Sequence, residues 1–174
     1  MTRKRVAILI SGRGSNMAAL IEAASDPGYP AEIVLVLSNI ADAAGLECAR
    51  QSGIETAVVE HKPFGKDRVA FDRAVQAVLV AHRVDIVCLA GFMRLLTPWF
   101  VGEWRGRMIN IHPSLLPAFK GLHTHERALA EGATRHGATV HFVTSELDNG
   151  PIIVQQSVPV HPDDTPDSLA ARVL

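Results

Sequence analysis

The chain is poor in the features that mark several functional classes. Only two of its 174 residues are cysteines, Cys48 and Cys88, and they stand far apart, in neither a metal nor a redox spacing. Both are expected to be reduced thiols of a cytoplasmic protein, Cys88 within a core strand and Cys48 on a helix. A net charge of -1 gives no basic tract for nucleic acid and no patch for an anionic membrane. No apolar run is long enough to cross a bilayer. The basic start, Thr2-Arg3-Lys4-Arg5, leads through a short apolar run into Ser11-Gly12-Arg13-Gly14 without a small-residue cleavage site, so a first strand is expected there and not a signal peptide. Linkers, repeats and low-complexity segments are also missing, which suits a single domain over 1–174.

What is present is an alternation of strands and helices. Residues 6–10, 33–37, 55–59 and 85–90 read as buried strands, rich in β-branched side chains. Between them, 15–24, 41–51 and 66–82 read as helices. The first has Ser15 or Asn16 near its N-cap, and the third has Val69, Ala70, Arg73, Ala74, Ala77 and Val78 at helical spacing. That order predicts an α/β fold, a mostly parallel twisted sheet with flanking helices. Beyond Gly91 the pattern loosens. A short helix or turn is expected at 95–101, a fifth strand at 107–111, a loop at 113–122, and a helix at 124–131 capped by Thr124. An antiparallel pair at 138–143 and 152–159 is joined by a turn containing Asn149-Gly150. A last helix follows Thr165-Pro166 and meets the end of the chain without a C-cap, so the natural protein is expected to be longer.

Three places carry chemistry. Asn110 and His112 are two apart at the end of a strand, so their side chains leave the same face. An amide and an imidazole held that way can polarise a carbonyl and move a proton, with Asp148 of the later turn available to join them. Taken singly, His112 also reads as an ordinary strand-end histidine and Asp148 as an ordinary turn residue. The second place is Ser11-Gly12-Arg13-Gly14-Ser15-Asn16, between the first strand and first helix. Met17 stands where a dinucleotide fingerprint needs its third glycine, and no lysine completes a triphosphate loop. The remaining readings are a monophosphate cradle at Gly14, Ser15 and Asn16 or a tight turn with a helix cap. The third is Gly91-Phe92-Met93-Arg94-Leu95-Leu96, which suits either a flat aromatic ligand or a loop plugging the sheet edge. Ligands of open parallel sheets sit beyond the carboxyl ends of the strands, where the Gly14–Asn16 turn and the Asn110/His112 tip are both expected. The histidines at 112, 123, 125, 136 and 141 lack a metal-binding spacing, so no metal is expected. His123 and His125 read as loop hydrogen-bonders. With Val140 and Phe142 toward the core, His141 faces the site.

Taken together these segments resemble the phosphoribosylglycinamide formyltransferases (glycinamide ribonucleotide transformylases) of purine synthesis. The matching stretches are Ile10 to Asn16, Leu89-Ala90-Gly91-Phe92-Met93-Arg94-Leu95-Leu96, Asn110-Ile111-His112-Pro113-Ser114-Leu115-Leu116-Pro117, Gly121-Leu122-His123-Thr124-His125, and Val140-His141-Phe142-Val143 with Asp148-Asn149-Gly150-Pro151. The resemblance implies a Rossmann-like formyltransferase fold. It implies Asn110, His112 and Asp148 as the catalytic trio, and Gly14, Ser15 and Asn16 at the substrate phosphate. It implies Arg68, Met93, Arg94, Leu95, Leu96, Asn110, Thr144, Ser145, Glu146 and Leu147 at the folate, with Pro113, Ser114 and His141 also lining the site and a cis peptide at Leu116-Pro117. The co-substrates implied are 10-formyltetrahydrofolate and glycinamide ribonucleotide, used by a monomer or homodimer with no metal. Two departures stand out: Arg13 occupies a position that can be uncharged in relatives, and the chain ends before the family's last helix is complete. A formyl-folate hydrolase, a methionyl-tRNA formyltransferase and a phosphate-binding module without chemistry are the competing readings.

Overall fold

Alternation of buried β-branched strands with amphipathic helices builds the first half of the chain in the computed structural model, which describes residues 2–174. The chain divides into two compact units, one ending at Met108 and the other spanning Ile109–Leu174. In the first unit the strands β1 (Lys4–Ile10), β2 (Ala31–Ser38), β3 (Thr56–Val58) and β4 (Ile86–Leu89) lie in the order β3-β2-β1-β4. The pairings of β1 with β2 and β4, and of β2 with β3, are all parallel. Helices α1 (Ser15–Ala24), α2 (Ala44–Gln51) and α3 (Arg68–Ala81) supply the crossovers, and α4 (Pro98–Glu103) follows β4. Because β1 is central and covered on both faces, Ala7, Ile8, Leu9 and Ile10 are all fully buried. Each large side chain so buried contributes roughly 1.5–3 kcal/mol.

Several boundaries differ from the sequence reading. The helix expected to open with Ser15 or Asn16 as its cap has Gly14 there instead, at a φ of 74°, and no side chain caps it. A left-handed cap is open to glycine at no steric cost, which the serine after it could not match. Helix α2 begins at Ala44 and α3 at Arg68, where Asp67 accepts from the Ala70 N–H, and a short 3-10 turn at Lys62–Phe64 precedes it. The buried face of α3 is Phe71, Asp72, Val75 and Leu79, while Val69 lies exposed. Both stripes are at helical spacing in this Ala- and Val-rich helix, and packing chose the one bearing the larger side chains. Helix α4 starts at Pro98 with Thr97 as its cap.

The second unit carries β5 (Met108–His112, whose first residue closes the first unit), β6 (Arg135–Phe142) and β7 (Ile152–Pro159), paired antiparallel in sequence order. Helices α5 (Thr124–Ala130) and α6 (Pro166–Val173) complete it. His123, at a φ of 57°, is the N-terminal cap of α5 in place of Thr124. The Thr124 hydroxyl instead donates to the Pro113 carbonyl at 2.7 Å. Helix α6 opens with a capping box between Thr165 and Ser168. The Leu116–Pro117 peptide is cis. Cys48 and Cys88 are free thiols, and burial pushes Cys88 up to about 11. No helix among the described residues is long and apolar enough to cross a membrane.

Candidate active site

Strand geometry brings the polar cluster of the second unit together. Asn110 and His112 alternate with Ile109 and Ile111 along β5, and the antiparallel register sets His141 of β6 directly across from Asn110. The Asn110 Nδ2 lies 3.2 Å from His141 Nε2. His141 Nδ1 lies 3.0 Å from the Phe142 carbonyl, which assigns its proton to Nδ1 and leaves Nε2 to accept from the amide. The turn between β6 and β7 returns Asp148 to this place. Its Oδ2 is 3.4 Å from His112 Nδ1, and its Oδ1 is 3.8 Å from His141 Nε2. These three side chains are almost wholly buried, at 7%, 8% and 3% for His112, Asp148 and His141. The trio named from sequence is thus gathered within one unit, with His141 as a fourth member.

The loop from Pro113 to His123 closes over His112. His112 Nε2 meets the Phe119 carbonyl at 2.9 Å, so both ring nitrogens face oxygen acceptors. Asp148 Oδ2 also accepts the Gly121 N–H at 2.8 Å, tying this loop to the turn. Arg127 steadies the same loop: it donates to the Lys120 carbonyl at 2.7 Å and lies over the Phe119 ring. Phe119, His123 and Asp148 all hold positive φ, at 53°, 57° and 48°. Left-handed backbone at non-glycine residues costs about 1–2 kcal/mol each and gathers at functional sites. Phe119 was not singled out from the sequence, and Gly121 stood only within a matching stretch, because both act through the backbone, which leaves no chemical mark in a sequence.

The other expected residues of this unit differ in their surroundings. Ser114 is fully buried, with its hydroxyl donating to the Ala118 carbonyl at 2.6 Å, and Pro113 accepts from Thr124. Thr144 donates to the Glu146 carbonyl, while Ser145, Glu146 and Leu147 are exposed. Nearby, His136 and His125 pack edge to face with ring centroids 5.1 Å apart. Among the described residues neither nitrogen of His136 has a hydrogen-bond partner, nor does His125 Nδ1, so His125 is no loop hydrogen-bonder through that atom. Burial holds both below the ordinary histidine range. His123 does reach a partner, Glu126 at 3.5 Å. Among the described residues no group of three or more His, Cys, Asp or Glu is arranged to hold a metal.

The first unit contributes a separate cleft of about 240 Å³ beside the N-terminus of α1, lined by Gly12, Arg13, Gly14, Ser15, Asn16, Gly91 and Met93. No side chain caps this helix, so its first N–H groups are open to an anion. A Cβ on Gly14 would lie 3.0 Å from Met17 Cε and 3.1 Å from Gly45 Cα, so the turn needs glycine for room as well as for φ. Of the expected folate residues in this unit, Arg68 is exposed at the start of α3, and Met93 and Leu95 are exposed in the segment before α4. Arg94 lies with its guanidinium 5.7 Å from the Phe71 ring centre.

The sequence profile of the formyl transferase family matches residues 4–174. The trifunctional purine biosynthetic protein adenosine-3 of Homo sapiens is 53% identical over 171 residues, which is 98% of this chain and 17% of that protein. The phosphoribosylglycinamide formyltransferase of Escherichia coli (strain K12) is 49% identical over 168 residues, 97% of this chain and 79% of the relative. The chain therefore spans under a fifth of the trifunctional relative and most of the bacterial one. The crystal structure of phosphoribosylglycinamide formyltransferase from Brucella melitensis matches with a TM-score of 0.93 at 53% identity, over 99% of this chain and 88% of that one. The mostly parallel, Rossmann-like sheet with an antiparallel C-terminal pair is the fold of such structures.

Proposed function

Because this chain belongs to the formyl transferase family, we propose that it moves the formyl group of 10-formyltetrahydrofolate to the amine of glycinamide ribonucleotide, a step of purine synthesis. The observation that carries this reading is a cluster in which half-buried Asn110 meets buried His141, and the His112 and His141 imidazoles flank the Asp148 carboxylate. The amine nitrogen attacks the formyl carbon, and a C–N bond forms while the carbonyl oxygen takes up negative charge. Asn110 N–H and the His112 imidazole stabilise that oxygen, the large electrostatic contribution to acyl transfer. Asp148 orients His112 and takes the proton released by the amine, directly or through water. The bond to folate N10 then breaks, the proton passes to that nitrogen, and formylglycinamide ribonucleotide and tetrahydrofolate leave.

Gly14, Ser15 and Asn16 bind the ribonucleotide phosphate in this reading, supported by the uncapped N-terminus of α1, with Arg13 adding positive charge. Arg68, Met93, Arg94, Leu95, Leu96, Asn110, Thr144, Ser145, Glu146 and Leu147 serve the folate in this reading. Pro113, Ser114 and His141 shape and support the site around His112, and no metal takes part. The test is tetrahydrofolate release, followed by absorbance, with purified protein, formyl donor and glycinamide ribonucleotide. Release that requires the ribonucleotide supports transfer. Formate production without any acceptor would make the protein a hydrolase instead.

A further inference from the structure

The segment 93–97, between β4 and α4, is unusual in what its backbone leaves open. Among the described residues, no N–H or C=O of Arg94, Leu95 or Leu96 has a hydrogen-bond partner. Three successive unpaired peptide groups would be costly in a core. Here Met93 and Leu95 are 65% and 61% exposed.

Yet the segment is tied at both ends to buried side chains. At its start the Met93 N–H donates to Ser11 Oγ at 2.7 Å, and the Ser11 hydroxyl donates in turn to Asn39 Oδ1 at 2.5 Å. At its end the Thr97 N–H and hydroxyl both donate to Asp72 Oδ2, at 2.7 and 2.6 Å. Asp72 is fully buried on the packed face of α3, and its Oδ1 has no partner. Burial pushes this carboxyl above its ordinary range, although Thr97, Arg68 and Arg94 act the other way. Placing an acid there is costly, and an apolar side chain on the same face would pack without that cost. What Asp72 supplies is a fixed position for the cap of α4, and through it for the residues just before. Arg94 lies with its guanidinium 5.7 Å from the ring centre of Phe71, the neighbour of Asp72 in sequence, and its Nε also has no partner among the described residues.

We propose that Asp72 is a positioning residue for the folate co-substrate: with Ser11 at the other end, it stretches 93–97 between two buried anchors. The Arg94–Leu96 segment, which the reading above already assigns to the folate, is thereby held in place before binding. The inference rests on the formyl-folate reading above. Pre-alignment removes the ordering cost that a loose segment would incur at binding.

The test compares Asp72→Ala, Asp72→Asn and Thr97→Val with the unaltered protein. Binding of 5-formyltetrahydrofolate is measured by calorimetry, and KM and kcat are measured for both substrates. Asp72→Ala is expected to weaken folate binding and raise the donor KM about tenfold. The ribonucleotide KM and the kcat at saturating donor are expected to stay within about twofold. Asparagine keeps an acceptor oxygen for Thr97 and is expected to restore donor affinity to within about twofold. Thr97→Val, which keeps the N–H and loses the hydroxyl, is expected to fall between them, and it carries the test if circular dichroism shows that Asp72→Ala does not fold. Unchanged folate binding in the alanine and valine variants, equal losses for both substrates, or an asparagine variant as weak as alanine would each overturn the role of Asp72 and leave the formyl-folate reading standing. Failure of the unaltered protein to bind 5-formyltetrahydrofolate would bring down both.

Discussion

Around His112 the polar atoms already have protein partners: Nε2 faces the Phe119 carbonyl, Nδ1 faces Asp148, and Asp148 also holds Gly121. Between Met93 and Thr97, by contrast, the ends are bound and the middle is bare. In the proposed transfer reaction the two regions have different tasks. Groups that handle charge and protons need a preset orientation, which neighbouring side chains and carbonyls provide in a buried place. Under the proposed reading, the anchored but unpaired backbone of 94–96 keeps its donors and acceptors free for a ligand.

The sharpest way to separate the two regions is His112→Ala. It is predicted to lower kcat about a thousandfold while leaving folate affinity and the circular dichroism spectrum in place. Unaltered turnover would remove His112 from the mechanism. Asp148→Asn comes next. Asparagine tolerates the left-handed backbone at this position, so the change isolates the carboxylate charge. A loss of about a hundredfold in kcat is expected, read from single-turnover rates so that product release does not mask it. Gly14→Ala probes recognition in the first unit. The positive φ and the close approach of Met17 and Gly45 predict a stability loss of about 1 kcal/mol or more in urea denaturation. A raised ribonucleotide KM with kcat little altered should accompany it.

The smallest effect concerns pH. Burial lowers the pKa of His125 and His136 below 6.5 in the folded protein, so the unfolded chain binds protons first as acid is added. The stability these groups confer is complete above 6.5 and erodes as pH falls below it toward their folded values. Hydrogen exchange is expected to show β6 amides opening faster on acidification while β1 amides change little, and His136→Leu should flatten that response. An equal acid response in β1 and β6 would refute this assignment.

The sequence made β1 plain, because a parallel central strand writes its burial as an unbroken apolar run. It also made plain that Asn110 and His112 share a face, because the strand period alone requires it. The pairing of Asn110 with His141 was less accessible: it depends on the register between two strands some thirty residues apart. Asp72 was hidden altogether. Its helix carries two stripes at helical spacing, and an acid beside Arg73 in such a helix reads as solvated. Only packing shows that Phe71, Asp72, Val75 and Leu79 turn inward. Gly14 in place of Ser15 at the start of α1, and His123 in place of Thr124 at α5, reflect backbone angles that residue type favours weakly.

The main-chain oxygen of Phe119 already holds the hydrogen-bonding place at His112 Nε2. Any oxygen that comes to His112 Nε2 must evict it, so the imidazole trades one companion for another and need not be stripped of bulk water first.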